Sequence, residues 1–237
     1  MKTSEDKNYL ETLKERGKTS RVYKKYQLIG LLIAQNRKQR RLFYESSAKN
    51  APEYFKEMKI LTIANKKEEK FLRTKTADFD FQEFTKKEIN ELIKKMRETM
   101  TAANGIGLSA NQIGLNLRLF VAQIFDEPVK RDKNNKIILP SPEKMRFYAI
   151  FNPEIIKFSE KKSIIEEGCL SVPGVYGLVE RPEKITLIGH DKNNKKIKIK
   201  AFGLLARVFQ HETDHLNGVL FIDRAINLRK ATSNEQL

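Results

Sequence analysis

Gln210-His211-Glu212-Thr213-Asp214-His215-Leu216-Asn217-Gly218 is the stretch on which the reading of this chain turns. It contains H-E-x-x-H. On a helix each residue advances ~100°, so His211 and His215 lie one turn apart on one face, where two imidazoles can grip one metal ion. Glu212 sits beside them, placed to take a proton from a water on that ion. Leu204, Val208, His211 and His215 fall on one stripe at spacings of four, three and four, which predicts a helix. Asn217-Gly218 is a helix stop. The bland alternative is a buried helix with two incidental histidines. Against it, the chain has three histidines in all, and two of them fall in this five-residue window.

A hydrolytic metal needs a third protein ligand and an open fourth position. Downstream of His215 only Asp223 and Glu235 are acidic. His190 reads as part of a hairpin strand and is expected to be a surface or half-buried residue. The remaining soft ligand is the single cysteine, Cys169, in Glu167-Gly168-Cys169-Leu170-Ser171. Two histidines and one thiolate leave a coordination position open for chemistry.

With these segments in view, the chain resembles the peptide deformylases. Gly105-Ile106-Gly107-Leu108-Ser109-Ala110-Asn111-Gln112, the Cys169 segment and the His211 segment resemble that family's three signature motifs, in its order. The resemblance spans roughly residues 59–224. One departure is Ser109-Ala110, where the family usually has two alanines; serine is close in size, so little effect is expected. Another is Tyr176, where many relatives carry an arginine at the pocket rim.

The resemblance implies hydrolytic removal of the formyl group from the N-terminal methionine of new polypeptides. It implies one divalent metal per chain, Fe(2+) in the first instance, with zinc, nickel or cobalt able to substitute. Cys169, His211 and His215 would be the ligands and Glu212 the proton-transfer group. The Gln112 side-chain amide and the Leu170 backbone N–H would stabilise the oxyanion. The peptide is expected to add as a strand against Ile106-Gly107 and Gly168. Ile106, Ile165, Leu204 and Val208 would line the methionine pocket. Glu167 is expected either to pair with Arg181 behind the site or to form an ordinary surface ion pair. Two other readings carry different consequences. A general metallopeptidase is disfavoured by Cys169 and by the missing downstream ligand. A non-catalytic ribosome-binding protein is disfavoured by the intact chemical residues.

The whole chain sets bounds on these readings. Its 237 residues, 40% hydrophobic, suffice for one domain with an appendage. One cysteine excludes an internal disulfide framework and fits a reducing compartment, so the protein is expected in the cytoplasm. The longest apolar run, Leu28 to Ala34, falls far short of the ~20 residues of a membrane span. The net charge of +16 suggests an anionic neighbour. Residues 1–56 carry fourteen Lys/Arg against six Asp/Glu, a net +8, half the total. They read as a basic, helical N-terminal extension, either packed on the catalytic domain or contacting RNA or the ribosome. Oligomeric state is left open.

The remaining segments give an α+β fold: antiparallel β-sheets surrounding a central metal-bearing helix, with a catalytic domain over 57–226 and a polar tail over 227–237. Residues 58–63 read as a first strand and 64–84 as a loop anchored by Phe79, Phe81 and Phe84. Thr85-Lys86-Lys87-Glu88 is a capping box opening a helix with Ile89, Leu92, Ile93, Met96 and Met100 on its apolar face. Residues 118–125 read as a strand and 126–145 as a surface insertion. Residues 147–152 and 155–158 read as two short strands broken at Pro153. Val172-Pro173-Gly174 is expected to turn out of the cysteine segment. Residues 185–190 and 196–202 should form a hairpin with Ile197, Ile199 and Ala201 facing inward.

Overall fold

The computed structural model describes residues 58–125, 130–131, 137–138 and 145–231. The expected helical extension over 1–56 lies outside these, as does most of the 126–145 insertion.

The architecture is α+β, built around one helix. Helix α1 spans Lys66–Leu72 and α2 spans Lys86–Ala102. Strand β1 is Gly107–Ser109, followed by a 3-10 turn at Ala110–Ile113 and β2, Leu119–Phe125. A two-residue pair, β3 (Lys130–Arg131) and β4 (Ile137–Ile138), stands apart. Then come β5 (Met145–Phe158), β6 (Lys162–Cys169), β7 (Val172–Pro182), β8 (Lys184–His190) and β9 (Lys196–Phe202). Helix α3 is Gly203–Leu216 and β10 is Leu228–Lys230. A five-stranded sheet runs β1-β2-β5-β8-β9, and a three-stranded sheet runs β10-β7-β6. All pairings are antiparallel.

Helix α2 follows its sequence pattern closely. Thr85 accepts from the Glu88 backbone N–H, and the Glu88 carboxylate accepts from the Thr85 N–H, satisfying donors that a helix start leaves unpaired. Ile89, Leu92, Ile93, Met96 and Met100 are all buried. They pack with Phe79, Leu108, Leu119, Val121 and Phe151 into the first core cluster. Phe79 stacks on Phe84 at 4.6 Å and meets Phe81 and Phe151 edge-on or tilted, so the three loop phenylalanines do anchor the segment before α2. The second cluster lies under α3. It joins Ala206, Val208, Phe209 and Leu216 to Phe120, Ala122, Ile150, Ile185, Leu187 and Ala201. The central sheet is therefore covered on both faces at β2. The β8–β9 hairpin has the expected alternation, with Lys196, Lys198 and Lys200 exposed and Ala201 buried.

Several segments differ from the sequence expectation. Residues 58–63 form no strand. Leu61 N–H donates to Gln112 O and Ile63 N–H to Ser171 O, so two isolated bonds to different partners replace a ladder. The following loop contains α1, capped by the Asn65 side chain. Only Leu72 of that helix is buried, which left no apolar period to detect. Pro153 does not break β5. It sits at a register shift between Phe151 and Glu154, where the ladder asks nothing of its missing N–H, next to Asn152 at φ 47°. The turn after Cys169 lies at Leu170-Ser171, and Val172-Pro173-Gly174 already belongs to β7. Residues 228–230 are not a free tail: they pair with Val175–Gly177 as β10.

Candidate metal centre

Three elements meet at one point. Helix α3 supplies His211 and His215, the end of β6 supplies Cys169, and the β1 turn supplies Gln112. Ligand atoms of Cys169, His211 and His215 all lie within 4.8 Å of one another. Cys169 Sγ is 3.1 Å from His215 Nε2. His215 is 1% exposed, so the cluster is walled on the helix side and opens past Cys169 and His211, which are half-buried. Among the described residues this is the one such group of His, Cys, Asp and Glu. His190 is not part of it; its ring rests near Phe81.

The donor set fits a divalent ion of intermediate softness. Cys169 Sγ accepts from Ser171 N–H at 3.4 Å and from Gln112 Nε2 at 3.5 Å, as a thiolate ligand does. Burial pushes His215 down, and the neighbouring His211 adds to this, so it is held well below the ordinary imidazole range and keeps a lone pair for coordination. His211 is held well above that range. Burial opposes its protonation, but Cys169 and Glu167 outweigh the burial. The same negative groups that would favour a proton there favour a metal cation.

Glu167 orients that histidine. Its Oε2 faces His211 Nδ1 at 2.9 Å, which directs Nε2 away from the carboxylate. Arg181 makes a two-pronged bond to Glu167 (Nε to Oε1 2.6 Å, Nη2 to Oε2 2.9 Å), with both side chains buried, so the pair lies behind the site and not on the surface. Burial alone would raise the Glu167 carboxyl. The bond with His211 and the Arg181 charge overcome it and hold the group well below the usual carboxylate range.

The sequence reading missed three members of this network, Arg207, Asp214 and Arg224. Arg207, one turn before His211 on α3, is buried; it donates to Glu167 Oε1 at 2.7 Å, Val179 O at 3.0 Å and Ser163 O at 2.8 Å. Asp214 accepts from Arg181 Nη1 at 2.7 Å and from both arms of Arg224 at 2.8 Å. A basic residue four positions before a ligand histidine was the available signal, because a cation on a buried helix face requires an acid opposite it.

Glu212 is buried at 4% exposure, and burial pushes its carboxyl up, against the pull of His211 and a bond from Ser109. Ser109 makes a polar contact that an alanine would lack. Its hydroxyl lies 2.6 Å from Glu212 Oε2 and 3.0 Å from Glu212 O. Gly107 also has a different neighbour from the one expected. A Cβ there would collide with the Glu212 carboxylate, 2.8 Å from Cδ, so the glycine accommodates this side chain whatever else approaches. Gln112 is held by Ser109 N–H donating to its Oε1 at 2.8 Å, which turns Nε2 toward Ser171 Oγ at 3.2 Å and toward Cys169.

The expected pocket residues divide. Ile106, Leu204 and Val208 pack in the second core cluster. Ile165 is half-buried and lies outside the three core clusters; by strand alternation it shares the β6 face of Ser163 and Glu167. Leu170 packs against the first cluster. Gly168 pairs with Tyr176, whose ring occupies the space a Cβ would need. The Arg229 guanidinium, from β10, lies 4.9 Å over that ring while its arms hold Glu166.

The chain matches the family described as polypeptide deformylase over residues 58–231. It is 43% identical over 146 residues to the peptide deformylase of Halothermothrix orenii, covering 62% of this chain and 82% of that one. Its fold is similar to the crystal structure of a probable peptide deformylase from Synechococcus phage S-SSM7, at a TM-score of 0.58 and 38% identity, covering 71% and 99% of the two chains. It is also similar to a Met-Ala-Ser-bound peptide deformylase from Acinetobacter baumannii, at a TM-score of 0.58 and 28% identity, covering 70% and 97%.

Proposed function

This chain belongs to the polypeptide deformylase family and is a metal-dependent hydrolase of formyl-methionyl peptides; from that premise we propose which of its residues carry the reaction and which metal serves it. Cys169, His211 and His215 hold the single catalytic ion, Fe(2+) by preference, with zinc, nickel or cobalt as substitutes. The observation that carries this reading is the convergence of one cysteine sulfur and two imidazoles within 4.8 Å, beside the buried Glu212 side chain. Held by Cys169, His211 and His215, such an ion would supply Lewis-acid chemistry, making a water more acidic and the formyl carbonyl more electrophilic. Glu212 accepts the proton that water loses as it attacks the formyl carbon. It then returns the proton to the departing amine, and formate leaves. Burial suits Glu212 to the first task, because a raised carboxyl takes up the proton more readily. Gln112 Nε2 and the Leu170 N–H face the carbonyl oxygen as it gains charge.

Edge strands support the substrate geometry. Gly107 lies on β1, at one edge of the five-stranded sheet, and Gly168 on β6, at one edge of the three-stranded sheet. An extended peptide adding against Ile106-Gly107 and Gly168 takes up backbone groups those edges leave open. The methionine side chain then meets Ile106, Leu204 and Val208, with Ile165 flanking from β6. The peptide bound to the Acinetobacter relative begins with methionine, which agrees with this.

Residues 1–56 provide a ribosome or RNA contact through their net +8 charge. Deleting them should weaken salt-sensitive ribosome binding and leave short-peptide turnover within a few-fold. The protein acts in the cytoplasm, where formylated nascent chains arise. Among the described residues no helix is long and apolar enough to cross a membrane.

The deciding assay is anaerobic turnover of formyl-Met-Ala-Ser against acetyl-Met-Ala-Ser, with metal analysis of the same sample. Stoichiometric formate release, one metal per chain and inert acetyl-peptide are expected. Equal cleavage of unmodified peptides would instead indicate a general peptidase.

A further inference from the structure

We infer that Ser109 is a positioning residue for proton transfer, fixing the Glu212 carboxylate through its hydroxyl. The inference rests on Glu212 being the proton-transfer group and adds a residue to that role. The Glu212 side chain is neither one of the proposed metal ligands nor hydrogen-bonded to Glu167, Arg181 or Asp214, which hold one another and His211. The Ser109 hydroxyl donates to Glu212, at 2.6 Å from Oε2. Both groups are buried, Ser109 at 0% exposure, so water does not offer Glu212 an equivalent donor at that oxygen.

Strand β1 makes this contact a two-point clamp. Gly107 and Ser109 are two residues apart and face the same way. Gly107 leaves the space the carboxylate fills, since a Cβ there would lie 2.8 Å from Glu212 Cδ, and the Ser109 hydroxyl holds one oxygen. The strand itself is fixed by its pairing with β2 at Gly107↔Ala122, Leu108↔Val121 and Ser109↔Phe120. Ser109 also uses its backbone N–H to orient Gln112. The proton-transfer carboxylate and the oxyanion amide are thus referenced to one residue, one through a side chain and one through the main chain. Only the first depends on residue type. With Oε2 occupied by Ser109, Oε1 is the oxygen left to exchange the proton, and a carboxylate free to rotate would spend part of its time misaligned.

Ser109→Ala removes one oxygen and adds nothing, so no clash arises and the Gln112 bond to the backbone persists. The expected result is a kcat about tenfold lower, the loss of one charge-assisted hydrogen bond. KM for formyl-Met-Ala-Ser and metal content should stay unchanged. A merely structural role would slow any background equally, so the test is a double-mutant cycle with Glu212→Gln. Residual turnover of Glu212→Gln should not respond to Ser109→Ala, because an amide that cannot take the proton gains nothing from alignment. A kcat within twofold of the parent, an equal loss in both backgrounds, or loss of metal from Ser109→Ala would overturn the inference. Near-normal kcat in Glu212→Gln alone would instead remove Glu212 as the base.

Discussion

In the proposed site Cys169 is the residue on which metal binding depends most, because it alone brings the cluster of candidate ligands to three. Two helix histidines bind a divalent ion weakly by themselves, and the thiolate adds both a third bond and a negative charge. Cys169→Ala is therefore expected to fold but to lose its metal on dialysis against a mild chelator. Retention of one equivalent would assign the third position to another group. Cys169 was readable from sequence by elimination, since one cysteine faced two histidines. Ser109 was not. Its size matched alanine, and only the strand geometry shows that its hydroxyl meets a buried carboxylate. The buried Arg207 was equally hidden, because its alternative as a solvated helix residue is the commoner outcome for that residue type.

At the scale of elements, β1 is three residues long yet touches the core, the proton-transfer group and the open sheet edge. Gly107→Ala tests its closeness to α3. The new Cβ must displace the Glu212 carboxylate, since β1 is pinned by β2 and cannot retreat. We expect kcat to fall at least ~10-fold, the scale at which a catalytic group is misplaced, with metal content preserved. An unchanged kcat would show that Glu212 has room the structure does not give it. Elements with a clear apolar period were legible in the sequence. Helix α2 and the β8–β9 hairpin fall in this class, as does α3. Those held by isolated bonds, such as the 58–63 segment, or by one buried side chain, such as α1, carry no period and were missed. Strand β5 was misread at Pro153 because a bulge lets proline sit inside a strand, and a bulge has no local sequence rule.

For the whole molecule, the buried network of Glu167, Arg181, Arg207, Asp214 and Arg224 joins α3 to both strands of the β6–β7 pair and to the segment after Phe221. Its acid sensitivity follows from the depressed Glu167 carboxyl. A group whose folded value lies below its unfolded value of ~4.3 stabilises fully above that pH and loses the contribution progressively as pH falls from there toward the folded value. Metal-free protein should therefore lose stability below about pH 4–5. Glu167→Gln should be less stable at neutral pH by ~3–5 kcal/mol, because it leaves buried arginines without their partner. It should also show a flatter acid limb. Urea midpoints from pH 6 to 3 for both proteins measure this, and parallel curves would assign the acid sensitivity elsewhere.

Glu212 carries the proton transfer in the proposed reaction. It neighbours His211 in sequence but points to β1, so it should move protons and not hold the metal. Metal content and kcat of Glu212→Gln, measured on one anaerobic preparation with formyl-Met-Ala-Ser, test this directly. The prediction is one metal per chain and a kcat lower by at least ~10²-fold, the low end of what a positioned acid–base contributes. A near-normal kcat, or loss of the metal, would contradict it.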